Sequence, residues 1–431
     1  MGQRKNDPEA PTAIIVEAGD TTCTYQNNGD NPMRSDSPGG AVAALCLALC
    51  LLISACDGSV GSSENVRGQA SLEVYAQLDA AAAGITQLPS GQVVLGFQPY
   101  YSPKIQVALL NADRTSYTPY PSLDWQSCRN ADGTWKDDFN HCVDWVLGLH
   151  TDSNGILWLL DSAKSTDKAA GRPLALVPKL VGWDTNANKL FRIIEISPEA
   201  TLTESQLNDF VVDMKNQVIV IADEGVGENS GSVGSKAALV VVDLKTGKSR
   251  RLLQGHPSVK PVSDPVRWDQ GTATAGSLAT FVGVDGIALD KDSQWLYFAP
   301  FSAYKMYRIQ MRDLLDTTLS PDELGLKVET YADKPYSGGL TIDMQNNLYT
   351  SESGERAIGI IPADTRIYSR FVTDSTMIWP DGVTFNSDGF MYTAAAQLTL
   401  ASFAQADGVG KNRPPYLVFR FRPVSAGTPG F

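Results

Sequence analysis

A recurring motif of about 15 residues constrains the fold of this chain more than any other sequence feature. Four copies begin at Asn208, Asp285, Gly338 and Asp381. Each copy has a short strand of alternating apolar residues, a polar or glycine-containing turn, and a second strand rich in Leu, Tyr, Val and Phe. Alternation on both sides of a tight turn predicts a β-hairpin.

Two weaker copies begin at Gly84 and Leu147, and further strands such as residues 238–253 and 305–310 follow most copies. The spacing of about 40 to 75 residues between copies fits propeller blades that carry loop insertions. The sequence therefore predicts an all-β protein, a six-bladed β-propeller of four-stranded blades over residues 73–431. A β-sandwich with an appended domain is the alternative, but it does not explain why the motif recurs to the end of the chain.

The charge balance bears on the partners of the protein. The 431 residues include 35 Lys and Arg against 48 Asp and Glu, a formal net charge of −13, with no long basic cluster. Nucleic-acid binding requires a basic footprint, so no nucleic-acid partner is expected. We also expect the protein to be a monomer.

An apolar run at residues 41–56 is shorter than the ~20 residues of a membrane-spanning helix and fits the central region of a signal peptide. Its end, Leu-Ile-Ser-Ala-Cys at residues 52–56, resembles a bacterial lipobox. The resemblance implies cleavage before Cys56 and a diacylglycerol on its sulfur. An ordinary signal peptide with a chance cysteine is the alternative.

The segments before the propeller follow from this interpretation. Met33 is the expected start, so residues 1–32 are an over-extended, disordered N-terminus. Residues 33–55 are the expected signal peptide and residues 56–72 a flexible tether. The protein is then exported, either as a lipid-anchored lipoprotein of the bacterial cell envelope or as a secreted or periplasmic protein.

Of the six cysteines, Cys128 and Cys142 are the two in the expected exported body. In an oxidising compartment such a pair predicts a disulfide, with two free buried thiols as the alternative. The three histidines, including the neighbouring His141, are not spaced for a His-based zinc site.

The repeats and the residues around them resemble the major royal jelly protein/Yellow family. The resemblance is carried, in chain order, by residues 207–209 with Val212-Asp213, 243–249, 296–302, 306–308 with Leu314, 357–359, 379–381 and 388–392. It implies a fold similar to that of the senescence-marker/gluconolactonase propellers, which hold a divalent metal on the central axis. Family members include dopachrome-converting enzymes, amine-binding salivary proteins and storage proteins, and bacterial relatives are commonly described as dopachrome tautomerase-related.

A propeller brings the start of each innermost strand to one central channel. The repeat alignment places Asn208, Asp209, Asp285 and Asp381 there, where they are candidates for ligand binding. Asp285 and Asp381 are also candidate catalytic acid and base, because crowded carboxyls raise one another's pKa. The alternative is that these residues cap the turns of their own backbone.

A metal is a further possibility on the axis, since Ca²⁺ prefers oxygen ligands. Its ligands would be Asn208, Asp285 and Asp381. The chain departs from the lactonase pattern at Gly338, where that pattern places an aspartate, and at Gly84, where alanines replace a glutamate. These departures argue against a complete lactonase-type metal site.

Aromatic residues beside the inner strands are the remaining candidates. Tyr304, Tyr336, Trp379 and Phe301 could stack on an aromatic amine, or they could fill space between blades. Four further aromatic residues fall in the second strand of their copy of the repeat, and we expect them in the core between blades: Trp158, Tyr297, Tyr349 and Tyr392.

Two classes of function follow. One is a small-molecule site on the axis, belonging either to a tautomerase-like isomerase or to an aromatic-amine binder. The other is a non-catalytic surface or scaffold propeller. A metal-dependent lactonase is a third hypothesis.

Overall fold

A computed structural model provides the structure of the protein. It describes residues 71–163, 175–226, 234–262, 267–268, 271–272, 281–405 and 407–431. The predicted N-terminal segment, signal peptide and lipidated Cys56 lie outside the described residues. Among the described helices, none is both long and apolar enough to cross a membrane.

Antiparallel strands dominate the described residues, as the alternating apolar patterns predict. In chain order the strands are β1 (Glu73–Leu78), β2 (Ala82–Gln87), β3 (Val93–Phe97), β4 (Val107–Leu110), β5 (Tyr117–Pro119), β6 (Val146–Thr151), β7 (Ile156–Asp161), β8 (Lys179–Asp184), β9 (Lys189–Glu195), β10 (Leu207–Asp213), β11 (Val218–Asp223), β12 (Ala238–Asp243), β13 (Ser249–Leu252), β14 (Arg267–Trp268), β15 (Gly271–Thr272), β16 (Val284–Leu289), β17 (Trp295–Pro300), β18 (Lys305–Gln310), β19 (Glu329–Asp333), β20 (Leu340–Ile342), β21 (Leu348–Glu352), β22 (Ala357–Ile361), β23 (Ser369–Thr373), β24 (Pro380–Phe385), β25 (Met391–Ala395) and β26 (Tyr416–Phe421). Two short helices follow β18, α1 (Met311–Leu315) and α2 (Pro321–Gly325).

These strands form six four-stranded blades, so the predicted six-bladed propeller is confirmed. Blade 1 is β2–β5, blade 2 is β6–β9, blade 3 is β10–β13, blade 4 is β16–β19 and blade 5 is β20–β23. Strands β14 and β15 form a separate two-stranded ribbon. The innermost strands contact one another in the cyclic order β2, β6, β10, β16, β20 and β24, which closes the ring.

Blade 6 joins the two ends of the propeller. It consists of β24, β25, β26 and the N-terminal strand β1, which pairs with β26 from Glu73 opposite Arg420 to Leu78 opposite Tyr416. Arg420 Nε also donates to Glu73 Oε1 at 2.6 Å. Pairing of the first strand with the last leaves blade 6 complete and closes the ring without an unpaired blade.

Glycine at the second position of the repeat lets neighbouring inner strands approach closely. A Cβ on Gly286 would lie 2.5 Å from the carbonyl oxygen of Gly338, and one on Gly382 would lie 2.7 Å from that of Ala83. A side chain at either position would push two blades apart. The Asp-Gly pairs of the motif therefore have a packing role beside any role of the aspartate.

Apolar side chains from facing blades pack together to form the core. Trp158, Tyr297, Tyr349 and Tyr392 are all at most 3% exposed, as expected for residues between blades. Cys128 and Cys142 form a disulfide in the connection between β5 and β6, and both are fully buried. The expected cysteine pairing is thus present.

We expect that replacing both cysteines (Cys128→Ser with Cys142→Ser) lowers the free energy of unfolding. The disulfide closes a segment with a sequence separation of 14, for which loss of the loop-closure constraint costs ~3 kcal/mol. Urea denaturation of the variant and of the reduced wild type measures this, and the two should agree. Equal stability of the oxidised wild type and the variant would contradict the expectation.

Candidate functional site

A cavity of about 820 Å³, counting space open to solvent, lies on the propeller axis. Asn208 and Asp209 reach it from β10, Asp285 from β16 and Asp381 from β24. The four polar residues that the repeat alignment selected therefore line one cavity. Whether they bind or react with a ligand is still a prediction.

An amide joins two carboxyls at the centre of the cavity. Nδ2 of Asn208 donates to Glu224 Oε1 at 2.8 Å and to Asp285 Oδ1 at 2.7 Å. Gln206 Nε2 donates to the other oxygen of Glu224, and the hydroxyl of Tyr100 donates to Gln206 Oε1 at 2.6 Å. A hydrogen-bond network thus runs from Tyr100 across blade 3 to Asp285, and such a network fixes the side chains that form it.

Burial and like charges shift the acidity of Asp285. Burial raises the pKa of Asp285 well above its ordinary value, and the carboxyls of Glu224 and Asp381 raise it further. The buried Lys334 acts in the opposite direction. Asp285 is therefore neutral at pH values where an exposed aspartate is charged.

Asp381 has a similar environment. Burial raises its pKa to about 7, a hydrogen bond with Trp379 opposes the shift, and the charge of Asp209 adds to it. Gln98 Nε2 donates to Asp381 Oδ2 at 3.4 Å. This carboxyl consequently changes charge near neutral pH, where a general acid or base is most effective.

Lys334 is a buried cation behind the acidic cluster. Its ammonium donates to the backbone carbonyls of Ala303 and Pro335, both at 3.0 Å. Burial lowers its pKa to about 7, while Asp285 opposes that change. Lys334 therefore partly balances the negative charge of the cavity from outside its lining.

His150 and Asp209 form a pair in the wall of the cavity. His150 Nε2 lies 3.0 Å from Asp209 Oδ1, and Nδ1 lies 3.2 Å from the carbonyl oxygen of Gly430. Burial would lower the pKa of His150, but the charge and hydrogen bond of Asp209 and the Gly430 carbonyl together raise it above its ordinary value. Both ring nitrogens thus face acceptors, which favours the protonated imidazole.

Aromatic rings form two walls of the cavity. Trp379 and Phe301 both line it and stack with centroids 5.4 Å apart and an interplanar angle of 17°. Tyr100 lines it from blade 1 and packs edge-on against Trp145 at 5.1 Å. The predicted Trp379 and Phe301 thus lie where a ligand ring could stack on them.

Tyr304 and Tyr336 lie outside the lining of this cavity. Tyr304 occupies the turn between β17 and β18 and is 43% exposed. Its ring packs edge-on against Tyr336 at 4.8 Å, and Tyr336 belongs to the apolar cluster behind Phe301. The two tyrosines therefore support the wall of the cavity from behind.

Glu224 was not among the site residues predicted from the sequence, although the repeat contained a signal for it. In an antiparallel hairpin the second strand ends beside the start of the first. Asp223, the last residue of β11, pairs with Leu207 at the start of β10, so Glu224 follows at the rim of the channel. The other missed residues come from elsewhere in the fold: Gln98, Tyr100, His150, Gln206 and Lys334.

The side chains do not fit a lactonase-type metal centre. Among the described residues, no group of three or more His, Cys, Asp or Glu side chains could hold a metal ion. Asn208 presents N–H groups to Glu224 and Asp285, whereas Ca²⁺ would require its oxygen. The three residues proposed above as metal ligands are Asn208, Asp285 and Asp381. Asn208 donates to Asp285, whereas Asp381 accepts from Gln98.

Fold and site together define a six-bladed propeller with an acidic, aromatic-walled cavity on its axis. The family model for the major royal jelly proteins matches residues 146–406, more than half of the chain. The protein therefore belongs to the major royal jelly protein family, as the sequence motifs indicated.

Major royal jelly protein 6 of Apis mellifera is 22% identical over 204 residues, which cover 46% of this chain and 40% of that protein. The chain thus matches less than half the length of this relative.

Among solved structures, a luciferin-regenerating enzyme aligns with a TM-score of 0.50 at 12% identity, over 84% of this chain and 98% of its own. A gluconolactonase of Xanthomonas campestris has a TM-score of 0.48 at 12% identity, over 83% and 91%. At these identities the likeness concerns the fold.

The elevated pKa of Asp381 predicts a pH-dependent stability. Its pKa is about 4 in an unfolded chain and about 7 in the folded protein, so the folded state binds more protons between these values. This contribution to stability is therefore lost as the pH rises from 4 to 7. The Asp381→Asn variant lacks this titrating carboxyl. We therefore expect the free energy of unfolding of the variant, relative to that of wild type, to rise by roughly 1–3 kcal/mol as the pH increases from 4 to 7.

Urea denaturation at pH 4.5 and pH 8 measures the difference. Asp292→Asn, a change at an exposed carboxylate in the β16–β17 turn, is the matched control and should follow wild type. A constant difference between Asp381→Asn and wild type at the two pH values would show that the carboxyl titrates normally.

Proposed function

We propose that the axial cavity binds a small aromatic cation, most simply a protonated aromatic amine. The observation that carries the proposal is the convergence of Asp209, Glu224, Asp285 and Asp381 on one cavity with aromatic walls. An ammonium in this cavity would replace the protons that the crowded carboxyls otherwise require. Its charge would lower their pKa values and be stabilised in return.

The aromatic walls add selectivity for a planar ligand. A ligand ring between the Trp379–Phe301 stack and Tyr100 would make offset or edge-on ring contacts, worth about 0.5–1.5 kcal/mol each beyond area burial. Phe403 extends the Tyr100 wall, with ring centroids 5.6 Å apart. A channel filled with side chains would have favoured a scaffold role, whereas this channel contains a cavity.

A second candidate function is a tautomerase-like proton shift, which the pKa values of two carboxyls favour. Ionised Asp381 would accept a proton from a C–H or N–H bond of the ligand, and neutral Asp285 would donate one to another atom. The ligand is isomerised with no net gain of protons or electrons. After the two carboxyls exchange a proton through the ligand or solvent, the cycle repeats.

A metal-dependent lactonase is the third candidate, and the donor set described above argues against it.

We expect Asp285→Asn and Asp381→Asn each to weaken binding of dopamine by about 10- to 100-fold, because each removes a charge-assisted contact worth about 1.5–3 kcal/mol. Calorimetric titration at pH 7 measures this. Catechol, which lacks the amine, should show little change between the variants and wild type. Asp292→Asn is the control at the opposite end of blade 4.

Two outcomes would contradict this expectation. Unchanged dopamine affinity in both variants would remove the axial carboxyls from binding, and loss of binding in excess EDTA would favour a metal site. The conversion of dopachrome by the same proteins separates the two leading candidates. Turnover that falls in both variants supports the isomerase, whereas binding without turnover in wild type supports the amine binder.

The proposal includes export and a lipid anchor at the cell envelope. The apolar run 41–56 and the lipobox-like sequence ending at Cys56 support it. The Cys128–Cys142 disulfide adds support, since such bonds persist in oxidising compartments.

We expect Cys56→Ser to abolish lipidation when the chain is expressed in a bacterium. The variant should then be found either in the soluble fraction or as an uncleaved precursor, and no longer as a lipidated membrane protein. The serine has no thiol to carry the diacylglycerol, and two acyl chains are needed for stable anchoring. Cys50→Ser, six residues upstream in the same apolar run, is the control and should remain lipidated. Incorporation of a labelled fatty acid into Cys56→Ser would disprove the assignment.

A further inference from the structure

A second cavity lies at the turn end of the propeller axis. Its volume is about 960 Å³, counting space open to solvent. The middle and end of the inner strands β10, β16 and β20 line it. His150 contributes to the walls of both this cavity and the axial one, which are otherwise lined by different residues.

Part of the wall of the second cavity is apolar. Val212, Ile287 and Leu340 are each at most 4% exposed and line it, and Met214 and Met344 stand at its rim. Met344 is 46% exposed, so an apolar surface continues from the cavity to the solvent. Methionine side chains adapt to ligands of variable shape, which suits a flexible chain.

The last residues of the chain form one wall. Phe431 lines the cavity and stacks on His150, with centroids 5.6 Å apart and an interplanar angle of 15°. The backbone N–H of Phe385 donates to the Phe431 carbonyl oxygen at 2.7 Å, and Gly430 N–H donates to the Phe385 carbonyl at 2.9 Å. These bonds to blade 6 hold the wall in place.

Two exposed lysines are among the residues that line this cavity. Lys215 and Lys291 lie in the turns of neighbouring blades, and both are exposed. Lys215 Nζ donates to the carbonyl oxygen of Asp292 at 2.7 Å, which places its ammonium beside the turn that carries Lys291. On a protein with a net charge of −13, a pair of cations at an apolar opening favours an anion there.

The lining also contains two buried aspartates, whose carboxylates are held by hydrogen bonds within their own turns. Asp290 Oδ1 accepts the backbone N–H of Gln294 at 2.7 Å. Asp343 accepts the backbone N–H of Asn347 at 2.9 Å and its side-chain amide at 2.8 Å. Both aspartates are buried, whereas the lysines are exposed and can move toward a ligand.

We propose that the second cavity binds an amphipathic carboxylate of the fatty-acid class. The alkyl chain lies among Val212, Ile287 and Leu340, and the carboxylate lies at Lys215 and Lys291. Burial of the alkyl chain against these side chains favours binding. Apart from His150, the two sites are lined by different residues, so either proposal can fail without the other.

Binding of dodecanoate to the full chain, measured by calorimetric titration with dodecanol as the uncharged counterpart, tests the proposal. We expect wild type to bind both and the double variant Lys215→Ala with Lys291→Ala to bind dodecanoate about tenfold more weakly, since exposed ion pairs contribute up to about 1 kcal/mol each. Dodecanol binding should not change. The control is the double variant Lys245→Ala with Lys248→Ala. These two exposed lysines lie in the β12–β13 turn of blade 3, the blade that carries Lys215, and the variant should match wild type.

Met214→Trp tests the apolar part, because an indole at the half-buried rim position would obstruct the opening. We expect this variant to bind both dodecanoate and dodecanol more weakly than wild type, while its circular dichroism spectrum and its affinity for dopamine stay the same as those of wild type. Three results would overturn the proposal: no dodecanoate binding by wild type, equal binding by the Lys215/Lys291 variant, or loss of dodecanoate binding in Asp285→Asn. The last result would locate the ligand in the axial cavity instead.

Discussion

The close approach of six inner strands around one axis is the constraint on which the rest of the structure depends. Glycines such as Gly286 and Gly382 allow it, because a Cβ at either position would lie within 2.7 Å of a carbonyl oxygen on the next blade. Pairing of β1 with β26 then closes the ring. As a result, residues that are more than 170 positions apart in the chain, such as Asn208 and Asp381, line the same cavity.

Crowding of carboxyls on the axis follows directly from that geometry. Every blade that places an aspartate or glutamate at its inner rim adds a negative charge to one small, poorly solvated volume. The protein compensates in three ways: amides of Asn208 and Gln206 donate to the carboxyls, Lys334 places a buried charge nearby, and the pKa values of Asp285 and Asp381 rise. Such a cavity favours either protons or a cationic ligand, which links the fold to the proposed function.

The fold and part of the site could be predicted from the sequence because the repeat has a fixed relation to the axis. Alternating strands and Asp-Gly pairs identified the blades and selected Asn208, Asp285 and Asp381. Tyr100 and Lys334 could not be predicted in this way, because they lie in connections between strands. His150 lies on the inner strand β6, but its contacts are with Asp209 and with Gly430, which is 280 residues away. Tyr304 lies in the turn after β17 and Tyr336 in the connection from β19 to β20, and both connections place their tyrosine outside the lining of the cavity.

The most direct test of the account is a crystal structure of the protein with a bound aromatic amine. We expect density for one molecule in the axial cavity, with its nitrogen within hydrogen-bond distance of Asp285 or Asp381 and its ring against Trp379 or Tyr100. A ligand bound on an outer blade face, with an empty axial cavity at saturating amine, would contradict it.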